Sequence, residues 1–162
     1  MLTIGIVGLG QIGGSIAKAL INRGFKIIGF DLDSKTLESA SSIGINLACG
    51  LEQIVAEANL VFVCVTLNSN RETLERILHY SQELNVAPTI TDVASYKSGA
   101  VPKDMNRSNL ILGHPMAGTH GQGFDSSSAE LFNEARWVII FRDGIDQERL
   151  ISLMEVVSLL GA

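Results

Sequence analysis

The sequence lacks several features that would each assign it to a broad class of proteins. No run of apolar residues approaches the roughly 20 that a membrane-spanning helix needs, so we expect no membrane partner. No basic run is present and the formal net charge is −5, which argues against nucleic acid as the main partner. The N-terminal strand pattern leads directly into a glycine-rich loop without a signal peptide, which predicts a cytoplasmic protein.

Cysteine and histidine are scarce as well. The only cysteines, Cys49 and Cys64, lie fifteen positions apart without a second pair, which is not the spacing of a zinc site. Cys64 falls within an apolar stretch and is expected to be a buried thiol. The histidines are His79, His114 and His120. Because a metal site would need more ligands than these provide, we predict no metal.

The composition is that of one globular domain. Hydrophobic residues make up 46% and charged residues 18% of the 162 positions, which excludes a disordered chain and allows a sizeable core. Short apolar runs alternate with helical patterns, and this alternation predicts an α/β fold with a doubly wound, mostly parallel sheet. Among the helices, one is expected to have Ser34 as its N-cap, and another to span about Ser98 to Met105.

The N-terminal residues hold a glycine motif in an informative context. Residues 1–7 have a strand pattern, residues 8–13 have the spacing G-x-G-x-x-G, and a helical pattern follows. Gly8 permits a tight turn, Gly10 lets the backbone approach a pyrophosphate, and Gly13 lets the helix pack closely on the strand. The helix N-terminus favours phosphate through its free N–H groups and its dipole. The alternative is a plain turn whose glycines serve sterics alone. We predict a dinucleotide site that includes Gly8, Gly10, Gln11, Ile12 and Gly13.

Asp31 extends that prediction to the kind of dinucleotide. Asp31 directly follows the strand pattern of residues 26–30. It therefore lies at about the distance after the glycine motif, roughly 20 residues, at which the fingerprint requires an acidic residue. A carboxylate at this position accepts hydrogen bonds from ribose hydroxyls and repels a 2′-phosphate, which favours NAD over NADP. We therefore expect residues 1–162 to form one Rossmann-type, dinucleotide-binding domain.

Polar loops follow several predicted strands at the same edge of the sheet. In doubly wound sheets, ligands bind beyond the carboxyl ends of the strands, at the point where the strand order reverses. The segments expected there are Gly8–Gly13, Asp31, Thr66–Asn70, Ala94–Lys97 and His114–Thr119. We predict one composite site, to which Thr66 adds a dinucleotide contact.

His114 is the side chain best suited to acid–base chemistry at that edge. It ends the apolar strand pattern of residues 110–113 and precedes Pro115. Imidazole titrates near neutral pH, so it can take a proton as an alcohol is oxidised. The alternative is a loop histidine that caps backbone groups, and position alone favours neither interpretation.

The preceding loop offers further polar groups. Ser95 could hydrogen-bond His114 or a substrate hydroxyl, or serve only in a turn. A serine hydrolase is not indicated, because no G-x-S-x-G elbow occurs. Asp92 can orient the loop through its backbone amides. Lys97 either meets a carboxylate or is an ordinary solvated lysine.

Two longer motifs resemble a known family. Residues 91–97 read Thr-Asp-Val-Ala-Ser-Tyr-Lys and residues 113–119 read Gly-His-Pro-Met-Ala-Gly-Thr. Together with the glycine loop, they resemble the prephenate/arogenate dehydrogenases of tyrosine biosynthesis. Leu131-Phe132 and the run from Trp137 to Ile140 fit that family as well.

The resemblance implies an NAD-dependent oxidative decarboxylation of a cyclohexadiene, prephenate or arogenate. It implies that the catalytic residues are His114, as the base, and Ser95, and that Ser95, His114 and Thr119 contact the substrate. It also implies a C-terminal helical domain, absent from this chain, through which the full-length enzyme forms a homodimer. Without that domain, we expect cofactor binding with little or no turnover.

Some alternatives stay open. Many prephenate-specific members carry a glutamate near the position of Thr119-His120, so prephenate and arogenate are not distinguished. A β-hydroxyacid dehydrogenase would have the same general shape, but residues 114–118 have no role in it. A non-catalytic nucleotide sensor would explain a stand-alone domain, but it leaves His114 and Ser95 unexplained.

Overall fold

One sheet organises the fold. The computed structural model describes residues 2–102 and 108–162, and seven strands within them form this sheet. The strands are β1 (Thr3–Val7), β2 (Lys26–Phe30), β3 (Asn46–Leu47), β4 (Leu60–Val63), β5 (Thr89–Asp92), β6 (Leu110–Pro115) and β7 (Trp137–Ile140). The helices are α1 (Gln11–Ile21), α2 (Ser34–Ser42), α3 (Leu51–Glu57), α4 (Leu67–Glu83) and α5 (Gln147–Leu159), with a short 3₁₀ turn at Phe124–Ser126.

The strand order is β3-β2-β1-β4-β5-β6-β7, so the sheet grows outward in two directions from β1 and β4. All neighbouring strands are parallel except β6 and β7, which pair antiparallel with His114 opposite Val138. The predicted doubly wound, mostly parallel α/β fold is therefore confirmed. The strand order reverses between β1 and β4, and a crevice for ligands is expected beyond the carboxyl ends of those two strands.

Strand β4 is apolar along its whole length, which suits a strand with helices over both faces of the sheet. Successive side chains of β4 alternate between two cores: Phe62 packs with α1 and α5 on one face, whereas Val61 and Val63 pack with α3 and α4 on the other. Phe62 also meets the edge of Trp137, with ring centroids 6.1 Å apart. No helix in the described part of the chain is long and apolar enough to cross a membrane.

Two of the predicted helices differ from the observed ones. Residues 98–100 form a turn where a helix from Ser98 was expected, and residues 103–105 of that prediction lie outside the described ranges. Helix α2 begins one residue earlier than predicted: Ser34 is its first residue, and its cap is Asp33, whose side chain accepts a hydrogen bond from Thr36 N at 2.9 Å. Both Asp and Ser are favourable caps, so the sequence pattern alone could not choose between adjacent residues.

The segments around the predicted site also differ in extent. Helix α4 begins at Leu67, so most of the predicted loop 66–70 is its first turn, and Thr66 is its N-cap. Strand β6 continues through His114 and Pro115 because β7 pairs with it there. His114 therefore lies within a paired strand and not in a loop.

Candidate functional site

The glycine-rich turn between β1 and α1 is shaped by close backbone contacts. Gly8 has φ of +89°, which favours glycine, and its N–H donates to Phe30 O at 2.8 Å. A Cβ on Gly13 would lie 1.9 Å from Gly8 O, so no side chain fits where α1 meets the turn. Two of the three motif glycines are therefore required by the chain's own packing.

Gly10 has a different reason to lack a side chain. A Cβ added there would meet no atom of the chain within 4 Å, and its φ of −68° suits any residue. Gly10 is the N-cap of α1 and provides no side-chain cap, and the first turn of α1 contains no acidic residue. The backbone N–H groups at this helix end are accessible to an anionic ligand, and the space above Gly10 can admit one.

Asp31 lies beside this turn and supports it. Its Oδ2 accepts from Leu9 N at 2.7 Å, and its Oδ1 accepts from Asp33 N at 2.9 Å. A carboxylate has about four acceptor positions, so Asp31 keeps capacity for two ribose hydroxyls. The sequence pattern predicted the ligand contact but not this second role in holding the glycine turn.

A cleft of about 290 Å³ opens at the point where the strand order reverses. Among its lining residues are Gly8, Gly10, Asp31, Leu32, Thr66 and Arg76. The predicted dinucleotide contacts Gly8, Gly10, Asp31 and Thr66 thus share one cleft. Leu32 and Arg76 were not identified from the sequence as residues of this cleft. The signal for Arg76 is a polar stripe on α4, because Ser69, Thr73 and Arg76 recur at helical spacing and all line the cleft.

Gln11 and Ile12, at the start of α1, present their side chains away from the cleft. Ile12 packs on the core. Gln11 Oε1 accepts from Thr119 N at 3.0 Å, and Gln11 Nε2 donates to Thr119 Oγ1. The turn predicted to hold the dinucleotide is therefore bonded directly to the loop predicted to hold the substrate.

His114 has a defined ring orientation. It is partly buried in β6, and its Nδ1 lies 3.2 Å from Val93 O. A carbonyl oxygen only accepts hydrogen bonds, so Nδ1 carries the proton in this contact and a neutral ring has its lone pair at Nε2. A free lone pair on a positioned imidazole is the feature that a general base requires.

The two other predicted substrate contacts differ from His114 in their surroundings. Ser95 is exposed, and within the described residues it makes no hydrogen bond with His114. Thr119 is also exposed, and its hydroxyl both accepts from Gln11 and accepts from Gly121 N at 3.1 Å. Ser95 therefore offers a free hydroxyl, whereas Thr119 has protein partners.

Lys97 contacts a carboxylate, in agreement with one of the two interpretations of the sequence. Its Nζ donates to both carboxylate oxygens of Asp92, at 2.6 and 2.7 Å, and to Gly113 O at 2.6 Å. Asp92 is fully buried and also accepts from Asn70 Nδ2 at 3.0 Å. Burial lowers the pKa of the Lys97 ammonium, while the hydrogen bond and charge of Asp92 act in the opposite direction.

The two thiols should differ sharply in reactivity. Cys49 is exposed, whereas Cys64 is partly buried and borders the cleft. Burial of its thiol raises the pKa of Cys64, and the nearby charge of Asp92 adds to this. Because the thiolate is the nucleophile, we expect iodoacetamide at neutral pH to modify Cys49 and leave Cys64 almost unmodified. Mass spectrometry of the native protein over time measures both rates. A Cys49→Ser variant should show only the slow reaction, and equal rates at the two thiols would contradict the assignment.

The described residues contain no group of three or more histidine, cysteine or acidic side chains that could hold a metal ion.

Comparison with known proteins identifies a family for the chain. The family model described as "Prephenate dehydrogenase, nucleotide-binding domain" matches residues 16–162. A prephenate dehydrogenase of Bacillus subtilis is 33% identical over 145 residues, which cover 85% of this chain and 38% of that protein. The chain therefore spans well under half the length of that relative.

Solved structures give the same result. The arogenate dehydrogenase of Synechocystis superposes with a TM-score of 0.87 at 32% identity, over 99% of this chain and 58% of that one. A prephenate dehydrogenase from A. aeolicus, in complex with hydroxyphenyl propionate and NAD⁺, superposes with a TM-score of 0.82 over 99% of this chain and 58% of its own. At 23% identity, the second likeness bears on the fold alone. With the family model matched over most of its length, the chain belongs to the family of prephenate dehydrogenase nucleotide-binding domains.

Proposed function

We propose that residues 1–162 form one domain that binds NAD and carries the catalytic base of a prephenate or arogenate dehydrogenase. The reaction is an NAD-dependent oxidative decarboxylation of a cyclohexadiene in tyrosine biosynthesis. The family membership, the cleft and the orientation of His114 support this proposal. Because the chain spans only 38% of its B. subtilis relative, turnover is a property of the full-length enzyme. A C-terminal domain would complete that enzyme and make it a cytoplasmic homodimer.

The cleft suits NAD on three counts. The open N-terminus of α1 and the empty space above Gly10 fit a pyrophosphate. The spare acceptor positions of Asp31 fit the ribose hydroxyls. Thr66 and Arg76 add polar groups from the start and one face of α4. Gln11, Ile12 and Gly13 would contribute through their backbone, since the side chains of Gln11 and Ile12 are engaged elsewhere.

The single observation that carries the catalytic part is the contact of His114 Nδ1 with Val93 O at 3.2 Å. With its proton at Nδ1, the ring presents an unprotonated Nε2 that can take the proton of the substrate hydroxyl. Ser95, whose hydroxyl has no bond to His114, would hydrogen-bond that same substrate hydroxyl. Thr119, fixed by Gln11, would contact the substrate from the opposite loop.

When bound, NAD supplies the acceptor for the hydride that leaves the ring carbon bearing the hydroxyl. As His114 Nε2 takes the hydroxyl proton, the electrons of that O–H bond form the carbonyl. The carboxylate on the opposite ring carbon leaves as carbon dioxide, and its bonding electrons enter the ring. The carbonyl oxygen takes back its π electrons and regains the proton from His114, which gives the aromatic phenol. The protein's part is to hold the base, orient the hydroxyl and bind the dinucleotide beside it.

Asp31 should determine which dinucleotide binds. We expect the protein to bind NAD in preference to NADP, and Asp31→Ser to weaken NAD binding by roughly 10- to 100-fold, since hydrogen bonds to a charged group contribute about 1.5–3 kcal/mol. The same variant should gain affinity for NADP, because the repulsion of its 2′-phosphate is removed. Isothermal titration with both dinucleotides measures these changes.

Asp33→Asn is the matched control for that experiment. Asp33 is a carboxylate two positions away that caps α2, and asparagine is an equally good cap. Its affinities for NAD and NADP should equal those of the parent protein. A parent protein that prefers NADP would overturn the role assigned to Asp31.

A further inference from the structure

The contacts of Gly113 stand out because side chains replace strand pairing on the side that faces β5, whereas on its other side Gly113 pairs with Ile139 of β7. The parallel ladder between β5 and β6 ends where Asp92 pairs with Leu112. At the next residue, Gly113 N donates to Asp92 Oδ1 at 3.3 Å, and Gly113 O accepts from Lys97 Nζ at 2.6 Å. The carboxylate and the ammonium thus hold both backbone groups of the residue immediately before His114.

The same ion pair closes the loop that holds the other candidate groups. Asp92 and Lys97 are five positions apart, and their contacts at 2.6 and 2.7 Å draw the two ends of this loop together. Between them lie Val93, whose carbonyl accepts from His114 Nδ1, and Ser95. The pair therefore fixes both partners of the His114–Val93 contact: the donor through Gly113, and the acceptor through the loop.

Close packing and a second polar contact hold the pair in place. A Cβ on Gly113 would lie 2.8 Å from Trp137 Nε1 and 3.2 Å from Asp92 O, so no side chain fits between the strands. Asn70, which is fully buried in α4, donates to Asp92 Oδ2 at 3.0 Å and to Ala100 O at 2.9 Å.

A buried ion pair is an inefficient way to stabilise a fold, because desolvation of the two charges offsets most of their attraction. Lys97 is 17% exposed and Asp92 is 0% exposed, so this cost applies here. What the pair does provide is a fixed geometry with several charge-assisted hydrogen bonds. Because these hydrogen bonds act on Gly113, directly before His114, the residue that they position is His114.

We propose that Asp92 and Lys97 are positioning residues that hold His114 in the orientation in which Nδ1 donates to Val93 O and Nε2 is free. They act through Gly113 and the loop 92–97, not on substrate or dinucleotide. The inference rests on the proposed function for its catalytic meaning, but the orientation itself can be measured without turnover.

The test is the ¹⁵N spectrum of the His114 imidazole in the labelled protein, which distinguishes the Nδ1–H tautomer from the Nε2–H tautomer. In the parent protein we expect the Nδ1–H tautomer. In Lys97→Met we expect a mixture of both tautomers, because Val93 O and the His114 backbone are no longer held at a fixed separation. Lys18→Met is the matched control: Lys18 Nζ also donates to a backbone carbonyl, Ser127 O at 2.9 Å, but on a different loop. That control should keep the parent tautomer.

A second variant covers the risk that Lys97→Met, with its unpaired buried carboxylate, does not fold. Asp92→Asn combined with Lys97→Met removes both charges and should also give the tautomer mixture. The proposal is overturned if either folded variant keeps the parent tautomer. It is also overturned if neither variant folds, because the pair would then be a requirement of the fold and not of His114 alone.

Turnover separates this proposal from the proposed function. In the full-length enzyme, Lys97→Met should lower kcat by roughly 10- to 100-fold while leaving NAD affinity unchanged, since a small displacement of a catalytic group has effects of that size. Lys97→Arg, which keeps the charge, should recover part of the loss. If His114→Asn keeps full turnover while Lys97→Met still changes the tautomer, only the proposed function fails. If the tautomer stays unchanged while His114→Asn is inactive, only the positioning role fails.

Discussion

His114→Asn is expected to lower the turnover of the full-length enzyme by roughly 10²- to 10⁴-fold, the usual contribution of a general base. Asparagine can still donate from its amide to Val93 O, which His114 contacts at 3.2 Å, but it has no basic nitrogen at the position of Nε2. The expected result is therefore a loss of kcat without a loss of folding. Steady-state rates with prephenate and with arogenate, beside thermal unfolding and NAD titration, measure all three quantities.

His79→Asn is the control for this substitution. His79 is an exposed histidine on α4, and its Nε2 lies 3.3 Å from Glu83 on the same helix. Its replacement should leave turnover and folding almost unchanged, because His79 is exposed and is not among the residues that line the cleft. A folded His114→Asn enzyme with turnover near that of the parent would remove His114 from the role of base.

Gly13→Ala is expected to cost at least about 3 kcal/mol of unfolding free energy, at or beyond the upper end of ordinary overpacking. The new Cβ would lie 1.9 Å from Gly8 O, which belongs to the backbone and cannot move without opening the turn. For a domain of 150–250 residues, this corresponds to a fall of roughly 6–12 °C in Tm. Calorimetry of the free protein measures it without any ligand.

Gly10→Ala should leave the stability of the fold almost unchanged and weaken NAD binding instead. No atom of the chain lies within 4 Å of the added Cβ, so Tm should change by no more than about 2 °C. NAD affinity should nevertheless fall by at least roughly tenfold, because the methyl group occupies the space proposed for the pyrophosphate. The pair of variants separates a glycine required by the fold from one required by the ligand. Normal NAD binding by Gly10→Ala, or an undiminished Tm for Gly13→Ala, would contradict this division.

The parts of the fold that the sequence predicts well depend on local pattern. Strand β2 has the predicted bounds, and the glycine turn lies between β1 and α1 as expected, because strand period, turn glycines and helix period all agree there. The apolar run of residues 60–63 is buried as expected, since a parallel strand covered on both faces has no polar alternation, whereas Cys64, just after it, is only partly buried. The position of the cleft is predicted as well, because the carboxyl ends of parallel strands lie at the same edge of the sheet.

The parts that the sequence does not predict depend on contacts between distant positions. Gln11 and Thr119 are 108 positions apart, and nothing in either segment indicates that their side chains are bonded. The extension of β6 through His114 depends on antiparallel pairing with β7, which is a property of the sheet and not of residues 110–115. Lys97 illustrates the same limit: its residue type allowed a carboxylate partner or solvent, and only the turn from Asp92 decided between them.

The coupled formation of NADH and carbon dioxide by the full-length enzyme that contains this domain would show whether the domain serves a prephenate or arogenate dehydrogenase. With NAD and either prephenate or arogenate, we expect both products in equal amounts, and we expect both to be lost together in His114→Asn. NADH without carbon dioxide would indicate a simple hydroxyacid dehydrogenase. Binding of NAD without either product, with both substrates, would indicate a nucleotide sensor and contradict the account.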